Sequence, residues 1–211
     1  MFYIIGVSHY AQIKDKDKDK DKDKDAIETE IQKQFRSCLE QAVGQIRPAL
    51  IAEELSHFSL QNHTDAKGLE QESLTMAVAN AAKIGHRFCD PEEDARTRMG
   101  YVDGDSLVRE IVMRNTENLS VEEARVRGHA IALGKYWPIR EQFWLDQLAD
   151  VSDKEIIFVC GDAHIESFQE LLRRNGIGSK VINRQIGVPQ NEVDFFVQMK
   201  AYLQEHPEII K

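Results

Sequence analysis

Two apolar runs stand out along the chain, Phe2-Tyr3-Ile4-Ile5 and Ile156-Ile157-Phe158-Val159-Cys160. Unbroken runs of this length, without polar alternation, read as strands buried on both faces of a sheet. Ala49-Leu50-Ile51-Ala52 is a third such run, and Lys180-Val181-Ile182 predicts a last strand. His86-Arg87-Phe88-Cys89-Asp90 is a short extended segment ended by Pro91. Between these segments the period changes. Ile27, Ile31, Phe35, Leu39, Ala42, Val43 and Ile46 recur at helical spacing and predict an amphipathic helix over 26–47, ended by Pro48. Leu74, Ala77, Val78, Ala81 and Ile84 predict another over 69–84, closed by Gly85. Ser120-Val121-Glu122-Glu123 is a capping box that opens a long helical stretch. Pro138 kinks or divides that stretch, and Phe143, Trp144, Leu145 and Leu148 continue it over 140–148. Further helices are expected over 165–174, stopped by Asn175-Gly176, and over 191–204.

Strands that alternate with helices predict an α/β fold with a mainly parallel sheet flanked by helices. A chain of 211 residues is long enough for one such domain with a sizeable core, spanning 1–211. Residues 14–25 read KDKDKDKDKDKD. Alternating charges offer no face to bury, so this run is expected to be a disordered, solvated Lys-Asp loop of zero net charge. No obvious helical insertion and no internal repeat of solenoid period is visible.

The apolar runs lead into chemistry. Gly6-Val7-Ser8-His9 follows Phe2–Ile5, and Gly161-Asp162-Ala163-His164 follows Ile156–Cys160. Glu53-Glu54 follows Ala49–Ala52, and Asp90 ends the segment His86–Asp90. The carboxyl ends of parallel strands share one edge, where ligands bind in open α/β sheets. A glycine just past a strand permits an unusual backbone angle or a close backbone approach, which lets the histidine turn into the crevice. Two histidines with one or two carboxylates support two chemistries. They can hold a divalent metal such as Zn²⁺, Mn²⁺ or Co²⁺, with His9, His164 and a glutamate as ligands and one position left for water. They can equally act without metal, an imidazole taking a proton from water while a carboxylate orients it. Glu53 and Glu54 are adjacent and point to opposite faces of a strand, so one of them is expected in the site. Arg140, in WPIREQFW, is a candidate to clamp an anion or stabilise an oxyanion. Arg87, Arg96 and Arg98 are weaker candidates for that role. Cys160 beside GDAH reads as an inert core thiol rather than a nucleophile, and HxxC at His86–Cys89 is a weak metal signal without a second pair. No nucleotide fingerprint, GxGxxG or GxxxxGK[ST], is present.

Charge narrows the partners. The net charge is −9, with 27 Lys and Arg against 36 Asp and Glu, which disfavours general nucleic-acid binding. No run is long enough to span a membrane, and the opening residues lack the pattern of a secretory signal. Three widely spaced cysteines, Cys38, Cys89 and Cys160, suit reduced thiols and a cytoplasmic setting. The expected partner is an unknown small-molecule or peptide substrate, and a homodimer is the base-rate expectation for assembly.

The ordered set Gly6-Val7-Ser8-His9, Glu54-Leu55, Arg140-Glu141 and Gly161-Asp162-Ala163-His164 resembles the Tiki/TraB superfamily, which includes erythromycin-esterase-like and ChaN-like proteins. The resemblance spans nearly the whole chain in short motifs. It implies an α/β fold with a His/Glu/Arg cleft and, in members of known activity, hydrolysis. Some members are metal-dependent peptidases, others metal-independent esterases, and one branch binds haem or iron. The resemblance favours Glu54 over Glu53 as the site glutamate, since the family's Glu-Leu pair falls on Glu54-Leu55. This chain departs from the esterase branch, which carries a Glu within the first GxxH, and from the membrane-anchored proteases. The expected function is hydrolysis of an ester or amide bond by His9, Glu54 or Glu53, His164 and Arg140. The alternative is a ligand- or metal-binding sensor without chemistry.

Overall fold

The computed structural model describes residues 1–12, 29–57, 72–114 and 118–210. The Lys-Asp run at 14–25 and Ile27 lie outside them. In chain order the main elements are β1 (Phe2–Val7), α1 (His9–Gln12), α2 (Glu30–Ile46), β2 (Leu50–Glu53), α3 (Leu74–Ala82) and β3 (Gly85–Phe88). There follow α4 (Glu93–Arg98), α5 (Gly104–Arg114), α6 (Val121–Ile131), a π-helical segment (Ala132–Tyr136) and α7 (Trp137–Gln147). The chain ends with β4 (Ile156–Gly161), α8 (Ile165–Arg174), β5 (Ser179–Ile186) and α9 (Gln190–Glu205).

The fold is α/β, with one five-stranded sheet in the order β3-β2-β4-β1-β5. Every pairing is parallel. The strands that read as unbroken apolar runs occupy its middle. All six residues of β4 are buried, as are all of β1 except the half-buried Tyr3. A central parallel strand is covered on both faces and so cannot afford polar alternation. The edge strands are polar by contrast: β5 exposes Lys180, Arg184 and Gln185, and β3 carries His86 and Arg87. Charge on an edge opposes further strand pairing.

The period of two sorts the core. Ile5, Val7, Ile51, Ile157 and Val159 join one cluster with Phe35, Leu39 and Ala42 of α2 and Leu74, Val78 and Ala79 of α3. On the other parity, Phe158 meets Trp144 and Phe168 with ring centroids 5.6 and 4.7 Å apart, and Phe2 meets Phe168 at 6.2 Å. Burying an aromatic ring of this kind stabilises by about 1.5–3 kcal/mol.

Local signals set the helix ends. Thr29 caps α2 in a box with Gln32, and Arg47 ends it in the left-handed region at φ 55°, just before Pro48. For α3 the sequence expectation places the stop at Gly85, but Lys83 makes it, at φ 56°, its N–H reaching Ala79 and Asn80 carbonyls. Gly85 instead opens β3, where a side chain would crowd Leu50 Cδ1 at 3.2 Å. The Ser120–Glu123 capping box opens α6 as expected.

Two compact units divide the chain. Met1–Glu92 with Trp144–Val188 contains the whole sheet, and Glu93–Phe143 with Pro189–Lys211 is helical. The sequence expects α6 and α9 of this unit but not α4 and α5, which are short and carry no strong cap signal. Within the helical unit Trp137 stacks on Phe196 at 6.1 Å, and the Arg125 guanidinium lies 4.2 Å from the Phe195 ring centre. Pro138 does not end the helix here. It has no N–H for the Gly134 carbonyl and would clash with it. The backbone widens just before it, with the Trp137 N–H bonding to the Ala132 carbonyl five residues back. A π turn of this kind absorbs a proline that a regular α-helix would reject.

Candidate functional site

The loops leaving β1 and β4 bring the two GxxH motifs side by side. These strands are neighbours, with Gly6 opposite Cys160 and Val7 opposite Gly161. Beyond β1 the chain turns into α1, whose first residue is His9. Beyond β4 it makes a short 3-10 turn, Asp162–His164, that runs into α8. From β2 the chain continues straight, the Glu54 N–H bonding to the Val159 carbonyl at 2.8 Å.

Three of the expected residues converge. His9 Nε2 lies 3.8 Å and His164 Nε2 3.6 Å from the same atom, Glu54 Oε1. Glu54 Oε2 accepts the Gly161 N–H at 2.7 Å. The Glu54 side chain is fully buried and that of His164 nearly so, whereas that of His9 is 51% exposed. A buried carboxylate requires hydrogen-bonded or charged partners, and both GxxH motifs supply them.

The two glycines differ in what a side chain would meet. A Cβ at Gly161 would lie 3.4 Å from both Glu54 Oε2 and His9 Nε2, inside the cluster. A Cβ at Gly6 would overlap Asp162 Oδ1 and Ile165 Cδ1. A methyl at Gly161 would therefore meet the site groups at ordinary van der Waals contact, whereas the first motif's glycine makes room for the second motif's aspartate. Asp162 uses that room: its Oδ1 accepts the Gln185 N–H at 2.7 Å and so fixes the end of β5, where Gln185 stands at φ 57°.

Glu53 goes to the opposite face, as the strand period requires. It is fully buried and accepts from Ser73 Oγ, from His86 Nε2 at 2.8 Å and from Gln12 Nε2 at 3.4 Å. Gln12 in turn meets His9 Nδ1 through its Oε1 at 3.1 Å. Asp90 also leaves the cluster: its Oδ1 accepts the Trp144 indole N–H at 3.1 Å, and the Trp144 ring packs edge-on against His164 at 5.0 Å. Gln12, Ser73 and Trp144 were not among the residues expected at the site. Gln12 had one usable signal, its spacing of three from His9, the interval at which helical side chains meet.

Arg140 belongs to the helical unit, where its guanidinium lies 6.0 Å from the Tyr101 ring centre. Arg87 is engaged elsewhere, in a two-pronged pair with Asp150 at 2.6 and 3.1 Å. Arg98 pairs with Asp94 at 2.6 Å, and Arg96 lies over Tyr101 at 5.7 Å. Cys160 and Cys89 are buried, and burial pushes the Cys89 thiol up to about 12, which makes it a poor nucleophile.

Among the described residues no group of three or more His, Cys, Asp or Glu side chains is set to hold a metal ion. Among the same residues no helix is long and apolar enough to cross a membrane. No protein-family model, no curated protein and no solved structure matches the chain.

Proposed function

We propose that the protein hydrolyses an ester or amide bond at the His9–Glu54–His164 cluster, in the manner its motifs share with the Tiki/TraB superfamily. The observation that carries this reading is the convergence of two histidine Nε2 atoms on one oxygen of a buried glutamate, with one of the histidines open to solvent. The exposed His9 takes a proton from water at Nε2, and the hydroxide oxygen attacks the carbonyl carbon of the substrate. The Glu54 carboxylate stabilises the imidazolium that forms. Collapse of the tetrahedral intermediate expels the alcohol or amine, which recovers the proton from His9. General-base catalysis of this kind contributes roughly 10²–10⁴-fold. His164, packed on Trp144, holds Glu54 in place. The resemblance gives Arg140 the role of binding a substrate anion, which Arg140→Ala tests through a raised KM.

The test is a panel of nitrophenyl esters and short peptides assayed with wild type and His9→Ala, each with and without added Zn²⁺, Mn²⁺ or Co²⁺. Metal-independent turnover that disappears in His9→Ala is the expected result. Turnover that needs added metal would move His9, Glu54 and His164 to ligand roles. A co-purifying small molecule that is bound but never converted would make the protein a sensor instead, and full activity in His9→Ala would end the proposal.

A further inference from the structure

The Glu53 cluster is not part of the hydrolytic step, yet it touches His9 through a single residue. Every group around Glu53 has its hydrogen-bonding direction fixed. A carboxylate only accepts. Ser73 Oγ accepts the Met76 N–H at 3.0 Å as the cap of α3, so its own proton goes to Glu53 Oε1. His86 Nε2 meets the same oxygen at 2.8 Å as a donor. Gln12 faces Glu53 Oε2 at 3.4 Å, and the end of its amide that does so must be the NH₂. Turned over, the amide would set its carbonyl oxygen against a buried carboxylate, two acceptors facing each other. With the NH₂ committed to Glu53, the Gln12 carbonyl oxygen is the atom 3.1 Å from His9 Nδ1. It cannot donate, so Nδ1 must carry the proton.

We infer that Gln12, held by Glu53, sets the tautomer of the neutral His9 ring, keeping the proton on Nδ1 and leaving Nε2, which at 3.8 Å is beyond hydrogen-bond reach of Glu54 Oε1, bare toward solvent. The two ring nitrogens of a histidine are distinct, and the hydrogen bond at one decides the state of the other. Gln12 is thus a positioning residue: it is fully buried, acts only through His9, and transmits the charge state of a carboxylate on the opposite face of the sheet. The tautomer follows from the hydrogen-bond directions alone. Its catalytic value rests on the hydrolase reading, since a bare Nε2 is the state that can accept a proton from water.

Proton–nitrogen correlation spectra of the histidine rings test this on the intact protein, at alkaline pH where the imidazoles are neutral. The His9 signals are identified among the seven histidines by their loss in His9→Ala. Wild type is expected to show His9 protonated at Nδ1 alone. In Gln12→Leu or Gln12→Met, which remove the acceptor, the proton is expected to redistribute toward Nε2. Glu53→Gln is expected to do the same at one remove, because an amide at Glu53 pairs with Gln12 in either orientation. His9 protonated at Nε2 in wild type would overturn the inference, as would an unchanged His9 spectrum in folded Gln12→Leu and Gln12→Met. None of these outcomes depends on a substrate. If the tautomer behaves as expected and no hydrolysis is found, the hydrolase reading fails and this inference stands.

Discussion

His9 stands half out of the protein on a helix of four residues, whereas His164 is sealed against Trp144 at the mouth of a helix of ten. The two come from the same four-residue pattern, each follows a central strand, and both point Nε2 at one carboxylate oxygen. Their surroundings divide the labour. On the proposed mechanism His9 exchanges protons with water and so must reach it, and its side chain is half exposed. A group that fixes a buried carboxylate must itself be fixed, and the packing around His164 does that. The glycines differ too: Gly161 borders the site at ordinary contact distance, while Gly6 leaves room that Asp162 and Ile165 fill.

Substitutions can break this division, and the largest effect is expected at the histidines. His9→Ala should lower kcat by roughly 10²–10⁴-fold with an unchanged Tm, since the side chain is half exposed. His164→Ala should lose activity and also about 2–3 kcal/mol of stability, read from urea unfolding, because it empties a buried site against an aromatic wall. Equal stability loss in both variants would erase the distinction. The glycines come next. Gly6→Ala should cost about 1–3 kcal/mol through overpacking against Asp162 and Ile165. Gly161→Ala, whose methyl would meet Glu54 and His9 at an ordinary 3.4 Å, should keep most of the stability and lower turnover less than His9→Ala. A smaller effect is expected for Trp144→Phe, which removes the N–H given to Asp90 and should cost about 1–2 kcal/mol by thermal unfolding while His9 retains function.

The smallest effect lies on the solvent side of α8. Hydrogen bonds from Arg173, and then from Arg174, hold the Glu170 carboxyl down at about 2 from its ordinary 4.5. A depressed folded pKa adds stability that is whole above 4.5 and is lost as pH falls through about 2. Glu170→Gln should therefore lower Tm slightly at neutral pH, with the gap to wild type closing as the acid limit is approached. The pair is fully exposed, so a large gap would be unexpected.

The parallel sheet was legible because β1, β2 and β4 are short apolar runs that a helix would not produce. The opposed directions of Glu53 and Glu54 followed from the strand period alone. The partnership of Glu53 did not. Ser73 and Gln12 are distant in sequence from it, and α1 is a helix of only four residues, too short to show a period. Of the helical unit, the stretch after Ser120 and the helix over 191–204 were legible, whereas α4 and α5 were not, because they lack the long apolar stripe of α2. At Pro138 the residue rule foresaw a kink or division of the helical stretch, and the division takes the form of five π-helical residues just before it, a form the rule does not specify. Lys83 shows a similar limit, since a left-handed cap was assigned to the nearest glycine rather than to the residue that adopts it.

The strand order bears on how the protein comes into being. β1 and β2 never pair; β4 lies between them and joins them. During synthesis from the amino end, Glu54 emerges long before Gly161 and waits without the N–H that it will accept. Strands that must wait for a late partner fold slowly and leave apolar edges open in the meantime. Before β4 only β2 and β3 can pair, and β1 is a lone strand, since its other neighbour, β5, is later still. β4 joins β1 to β2, and only that late event can assemble the His9–Glu54–His164 cluster. Nascent chains halted before β4 should hold no working site at all, however well their first helices have formed.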